Sequence, residues 1–232
     1  MIEIYADGAT LSQIAEWGID DVIRGFTTNP TLIRALGIQD YKSFCLGAMV
    51  AANNKPISFE VFADDDEGIA KQAAIISSWG PNVYVKVPIV NTKGENNSDL
   101  IRRLASQGIM INVTAVFTKA QVKDAIDALA EGPSSIVSIF AGRICDAGSD
   151  PRVPFDYFTQ YNHWTHVKSL WASSRQVYDC IKAKEYGADI ITLSPALIKK
   201  IELFGKPLFD FSVETVKMFY DDAKAAGFTI EE

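Results

Sequence analysis

The chain has 232 residues, 48% of them apolar and 22% charged, with a formal net charge of −7. That length suits one large domain or two small ones with a sizeable core, and the composition excludes wholesale disorder. The acidic balance argues against nucleic-acid and anionic-membrane partners, and no apolar run reaches the ~18 residues that would cross a bilayer.

A first apolar, β-branched run spans Ile2–Ala6, and Thr10 is placed to cap a helix to about Trp17. The opening residues lack the basic and apolar regions of a signal peptide. The second run, Val22–Phe26, leads into Thr27-Thr28-Asn29-Pro30, and a helix follows around Tyr41–Ala52. The third, Ile57–Phe62, precedes a helix opened by Asp65-Asp66-Glu67, acids suited to the positive end of a helix dipole. Val83–Val87 is the fourth, closed by Pro88, with a helix near Ser98–Ser106 that Gly108 stops. Ile109–Val113 is the fifth, and Thr118 opens a helix to about Leu129. After the sixth, Ile136–Phe140, residues 145–164 read as a long irregular stretch marked by Asp-Pro, Val-Pro and Gly. His166–Ala172 is followed by a helix over Arg175–Tyr186, and Ile190–Leu193 by a short helix from Pro195. A last helix, Val213–Ala226, stops at Gly227.

Strands alternating with helices predict a parallel sheet. Eight such units match a (β/α)₈ barrel. The competitor is a doubly wound open sheet, which usually carries a Gly-rich phosphate turn after its first strand. Here that turn reads Asp7-Gly8-Ala9-Thr10, without a GxGxxG pattern. The predicted fold is a single α/β TIM-barrel domain over residues 1–232, with residues 209–232 as a C-terminal helical extension.

Barrel chemistry sits at the C-terminal ends of the strands. Those ends carry Asp7, then Thr27 and Asn29, Glu60, Lys86, Asn112 and Thr114, Ser138 with Arg143 beyond it, and Ser173 with Arg175. Lys86 is the sharpest signal, a cation inside the apolar run Val83-Tyr84-Val85-Lys86-Val87-Pro88. A buried lysine is costly unless paired or neutral, and a desolvated amine is a nucleophile that forms Schiff bases with carbonyls. The alternative is a buried ion pair or a snorkelling edge lysine. Asp7 and Glu60 are candidates for the proton transfers that Schiff-base chemistry needs, or simply for pairing with Lys86. Asn29, Asn112, Thr114 and Ser138 could orient hydroxyls or a water; each is also a common turn or cap residue. Arg143 and Arg175, with Ser173, suit a phosphate, since guanidinium forks bind its oxygens bidentately. A surface pair of Arg175 with Asp146 or Asp179 is the other reading. The acids of Asp64–Glu67 are expected to serve a helix start rather than a metal. Cys45, Cys145 and Cys180 are odd in number and far apart, and His163 and His166 are the available imidazoles. No disulfide framework and no zinc site is expected, and a reducing cytoplasm is the default setting.

Taken together, Asp7, Thr27-Thr28-Asn29-Pro30-Thr31, Tyr84-Val85-Lys86-Val87-Pro88, Asn112-Val113-Thr114, Ser138-Ile139-Phe140-Ala141-Gly142-Arg143 and Ala172-Ser173-Ser174-Arg175 resemble the transaldolase family. The resemblance is closest to its short branch, which includes fructose-6-phosphate aldolases, and it runs over roughly residues 2–200. It implies a class I Schiff-base enzyme on an α/β barrel, without metal or cofactor, acting on sugar phosphates such as those of the pentose phosphate pathway. Lys86 matches the Schiff-base lysine, Asp7 the acid/base for carbon–carbon cleavage, and Glu60 and Thr114 the pair that handles the catalytic water. Thr27, Asn29, Asn112 and Ser138 match substrate contacts, and Arg143, Ser173 and Arg175 the phosphate site. Transaldolases carry Glu and Phe where the aldolases carry Gln and Tyr; with Glu60 and Phe140 this chain resembles the transferases. The resemblance also implies a homo-oligomer, a pentamer or decamer, in which the C-terminal helix reaches a neighbour. Gly8 and Ser174 depart from the family pattern, which bears on acceptor range. The alternatives are an aldolase that releases dihydroxyacetone and a sugar-phosphate-binding barrel without turnover.

Overall fold

The computed structural model describes residues 2–230. In chain order the elements are β1 (Glu3–Asp7), α1 (Leu11–Gly18), β2 (Ile23–Thr27), α2 (Pro30–Ala35), α3 (Tyr41–Ala51), β3 (Ile57–Glu60), α4 (Asp66–Ser77), β4 (Val83–Pro88), α5 (Ser98–Ser106), β5 (Ile111–Val116), α6 (Lys119–Leu129), β6 (Ser135–Ile139), α7 (Ala141–Asp146), α8 (Arg152–Tyr161), β7 (Val167–Trp171), α9 (Asp179–Glu185), β8 (Ile190–Leu193), α10 (Pro195–Lys199) and α11 (Leu208–Ala225). The strands pair in parallel in sequence order, and β8 returns to β1, so the sheet closes. This is the TIM barrel expected from the count of units.

The chain divides into two compact units, one reaching Ile198 and one starting at Lys199. The first holds the barrel. The second holds a 3-10 turn at Lys200–Leu203 and then α11, none of whose side chains is buried. No helix among the described residues is long and apolar enough to cross a membrane.

Strand alternation decides what fills the barrel. Tyr5, Ile136, Leu170, Ala172 and Ile190 pack together inside it, with Tyr84 and Phe140 against them. Gly25 makes this packing feasible, because a Cβ there would lie 2.6 Å from the Tyr5 ring. The outer helices present apolar faces to the strands; α5 buries Leu100, Ile101, Leu104 and Ala105. Thr10 caps α1 and Thr118 caps α6, each with a glutamine three residues on that completes a reciprocal capping box.

Several boundaries differ from the sequence expectation, each for a local reason. The stretch at 145–164 is mostly helical, forming the end of α7 and then α8. Pro154 falls in the first turn of α8, where its missing N–H has no intrahelical partner to lose. Its neighbours Phe155 and Phe158 are buried, and Phe155 stacks on Trp171 with ring centroids 5.3 Å apart. Asn29-Pro30 is a helix start rather than a turn alone: the Asn29 side chain accepts from the Leu32 N–H at 3.0 Å and Pro30 opens α2. The helix expected from Arg175 begins at Asp179, whose carboxylate accepts the Arg175 N–H at 2.7 Å and holds the preceding loop. β5 runs over Ile111–Val116 rather than 109–113, and the last helix starts at Leu208 rather than Val213.

Candidate functional site

A cavity of about 580 Å³ opens at the C-terminal ends of the strands. Asp7, Thr27, Asn29, Glu60, Lys86, Thr114, Ser138, Phe140, Arg143, Ser173 and Arg175 all line it. Parallel strands closed into a barrel, with register shifts between β1 and β2 and between β5 and β6, bring these residues from most of the βα units to one mouth. Among the residues singled out from the sequence, Asn112 is the exception. It is fully buried and does not line the cavity; its amide donates to Ser58 Oγ at 3.0 Å and accepts from Ser138 Oγ at 2.7 Å. It holds Ser138, which does reach the cavity.

Lys86 is 6% exposed. Its Nζ lies 3.3 Å from Glu60 Oε2 and donates to the Thr28 carbonyl at 2.9 Å. The two side chains come from paired positions, since Glu60 and Lys86 are register partners across β3 and β4. This pair answers the cost of burying the ammonium: removing one partner of a buried pair typically costs ~3–5 kcal/mol. Glu60 is itself held through its backbone. The Tyr41 hydroxyl donates to the Glu60 carbonyl at 3.1 Å and accepts its N–H at 3.2 Å. Thr114 Oγ1 is buried beside these groups and makes no hydrogen bond to any described residue. A buried hydroxyl without a partner is disfavoured unless a substrate or solvent oxygen completes it.

Asp7 stands across the mouth at the end of β1. Burial is the largest influence on it and pushes its carboxyl above the usual range. The Lys86 charge and a hydrogen bond from Thr27 Oγ1, at 2.8 Å, pull it back, while Glu60 pushes it further up. A carboxyl pushed up by burial and pulled back by a cation and a hydroxyl is a candidate to take and return a proton.

The other end of the cavity is cationic. Arg143, near the start of α7, lies over the Phe140 ring at 5.5 Å, and Phe140 in turn packs on Phe117 with centroids 5.5 Å apart. Arg175 is engaged by Asp146: Nε donates at 3.0 Å and Nη2 at 2.5 Å, both to Oδ2. That hydrogen bond holds the Asp146 carboxyl below its usual range. The surface-pair reading of Arg175 is thus present in the structure, and it leaves the guanidinium at the cavity edge. The backbone here is strained. Ser173 has φ +67° and Ala115 φ +56°, left-handed values that cost a non-glycine residue ~1–2 kcal/mol, and both residues line the cavity.

Sequence reading missed three contributors. Thr192, from β8, lines the cavity and bonds Thr27. Its signal was available: a hydroxyl inside the apolar run Ile190–Leu193, in the manner of Lys86. Tyr41 and the Thr28 carbonyl carried no signal, because the Tyr41 hydroxyl bonds the backbone of Glu60 and the Thr28 contact is itself a backbone carbonyl. Burial raises the thiols of Cys45, to about 12, and of Cys180, to about 11, and also that of Cys145, so none is an activated nucleophile.

Comparison with known proteins gives a consistent picture. The family model described as transaldolase/fructose-6-phosphate aldolase matches residues 4–232. The chain is 31% identical over 216 residues to a probable transaldolase of Dehalococcoides mccartyi, covering 91% of this chain and 94% of that one. It is 34% identical over 220 residues to a probable transaldolase of a Roseiflexus species, covering 92% and 94%. Among solved structures, it resembles 3-hexulose-6-phosphate synthase from Salmonella typhimurium with a TM-score of 0.57 at 14% identity, over 85% of this chain and 90% of that one. It also resembles the tryptophan synthase α-subunit of Pyrococcus furiosus with a TM-score of 0.59 at 13% identity, over 90% and 93%. At such identities the structural likeness speaks to the barrel alone.

Proposed function

Because the chain belongs to the transaldolase/fructose-6-phosphate aldolase family, we propose that it is a transaldolase working through a lysine Schiff base. It moves a dihydroxyacetone unit from a ketose phosphate, such as fructose 6-phosphate or sedoheptulose 7-phosphate, to an aldose phosphate of the pentose phosphate pathway. The observation that carries this reading is Lys86. Its amine lies inside the barrel, against Glu60, in one cavity with Asp7 and the two arginines.

Lys86 passes its ammonium proton to Glu60, the neutral amine adds to the ketose C2 carbonyl with its proton moving to the carbonyl oxygen, and the carbinolamine hydroxyl takes the proton back from Glu60 and leaves as water to give the iminium. Glu60 and the free hydroxyl of Thr114 handle that water and its protons. The Asp7 carboxylate takes the proton of the C4 hydroxyl. The C3–C4 bond breaks, its electron pair moves to the iminium, and an aldose phosphate leaves an enamine on Lys86. The enamine then attacks an acceptor aldehyde, Asp7 returns its proton to the new hydroxyl, and water hydrolyses the imine. Thr27, Asn29 and Ser138 contact the sugar, with Asn112 holding Ser138. Arg143, Arg175 and Ser173 receive the phosphate, which takes Arg175 over from Asp146. Phe140 brings no hydroxyl to the enamine, so release of free dihydroxyacetone gains no proton donor there. No metal or cofactor enters this sequence.

The free thiols of Cys45, Cys145 and Cys180 suit the reducing cytoplasm as its setting. We further propose a homo-oligomer, a pentamer or decamer, with α11 as the element that meets a neighbouring copy.

The test is to incubate the protein with fructose 6-phosphate and borohydride and map the modified peptide by mass spectrometry. A dihydroxyacetone-sized adduct on Lys86, absent in Lys86→Met, is the expected result. Turnover retained by Lys86→Met would overturn the mechanism. Absence of an adduct with a range of ketose phosphates would favour a barrel that binds sugar phosphates without reaction.

A further inference from the structure

Hydroxyl groups have one proton each, and that fixes the direction of a hydrogen-bond chain at the mouth. Thr27 Oγ1 donates to Asp7 Oδ1 at 2.8 Å, because a carboxylate can only accept. Thr27 Oγ1 also lies 2.6 Å from Thr192 Oγ1. Its proton being committed to Asp7, Thr27 accepts in that second bond and Thr192 donates. Both threonines are buried at the wall of the cavity, 3% and 4% exposed. The Thr192 backbone is held on both sides, its Cα pairing with Tyr5 across β1 and β8 and its carbonyl accepting from Ser174 Oγ at 2.8 Å, and its β-branched side chain has few rotamers from which to choose.

We propose that Thr192 is a positioning residue for the reaction: by donating to Thr27 it commits the Thr27 proton to Asp7 and sets the readiness of that carboxylate to take a proton. An accepted hydrogen bond polarises the accepting hydroxyl and strengthens the bond it donates. Loss of the Thr192 hydroxyl weakens the stabilisation of the Asp7 carboxylate and leaves Thr27 free to rotate away. The charged groups that share the mouth with Asp7 are Lys86, Glu60, Arg143 and Arg175. None of them bonds Thr27 or Thr192, so the effect is confined to the Asp7 side of the cavity.

The inference rests on the proposed role of Asp7 as the base of carbon–carbon cleavage, and the experiment separates the two. Thr192→Val preserves shape and removes the hydroxyl; Thr192→Ser restores it; Thr192→Ala serves if the valine variant does not fold. The expected result for Thr192→Val is an acid limb of kcat shifted upward by about half a pH unit, a roughly threefold change in the ionisation constant. KM and the yield of borohydride trapping on Lys86 stay as in the wild type, and Thr192→Ser returns the acid limb to its place. An acid limb that does not move while turnover persists overturns the inference and leaves the Schiff-base reading intact. If the wild type neither traps nor turns over, the Asp7 titration is followed directly by ¹³C NMR of labelled aspartate, assigned with Asp7→Asn. A midpoint raised in Thr192→Val then supports the coupling, and an unmoved midpoint overturns it.

Discussion

In its proposed role Asp7 serves chemistry at the expense of stability. Burial raises its pKa above the unfolded value, so the folded state holds that proton more tightly. The sign follows by linkage: this contribution to stability is full below the unfolded pKa, near 3.9, and is lost as pH rises through the raised folded value. Above that folded value the ionised group is a cost. Asp7→Asn is therefore expected to melt higher than the wild type at pH 7–8, with each kcal/mol worth about 2–4 °C in a chain of this size, and to lose cleavage activity. The gain should shrink toward pH 4; thermal melts across that range check it. Lys86 keeps its Glu60 partner in this variant, so the prediction does not depend on an orphaned lysine. Phe140 sets a second test at the same scale. Phe140→Tyr should raise cleavage without an acceptor, read as free dihydroxyacetone, because a phenol beside the enamine can protonate it; an unchanged rate would remove that role from the position.

At the scale of elements, the proposed phosphate end depends on the close approach of α7 to the loop after β7. Gly142 donates its N–H to the Ala172 carbonyl at 3.3 Å, and a Cβ at Gly142 would stand 1.7 Å from the Ser173 carbonyl oxygen. Backbone cannot yield as a flexible side chain can. Gly142→Ala should thus lower stability by about 1–3 kcal/mol, measured by urea unfolding, and raise KM for a phosphorylated donor by displacing Ser173 and Arg143. Unaltered stability and KM would show that the two segments separate freely. This region was also the least legible in the sequence. Pro151 and Pro154 read as loop signals, yet one stands at the N-cap of α8 and the other in its first turn. The strand-end residues Asp7, Glu60 and Lys86 were legible, because a polar residue closing an apolar run needs a reason to be there.

Over the whole molecule, the contrast lies between the barrel unit and the unit from Lys199. The first has an interior core; the second exposes Phe209, Val216, Phe219 and Tyr220, each more than half accessible, along a helix with no buried side chain. Apolar surface at this density is unusual for a helix that stays in water. In keeping with the proposed oligomer, Phe209→Glu combined with Phe219→Glu should reduce the mass seen by light scattering toward that of one chain. A mass unchanged by the substitutions would remove α11 from the assembly.

The residue pattern alone specifies the barrel and most of the positions at its mouth. Alternating strand and helix patterns force parallel pairing, and parallel pairing brings every strand end to one side. It determined the chemical character of Lys86, since a cation within an apolar strand cannot be indifferent to its surroundings. Which polar groups touch depended on the folded chain. It withdrew Asn112 from the cavity, tied Arg175 to Asp146, braced Glu60 with Tyr41 and linked Thr192 through Thr27 to Asp7. Those contacts join residues far apart in the chain, and their distances depend on register and closure, which spacing along one strand does not encode.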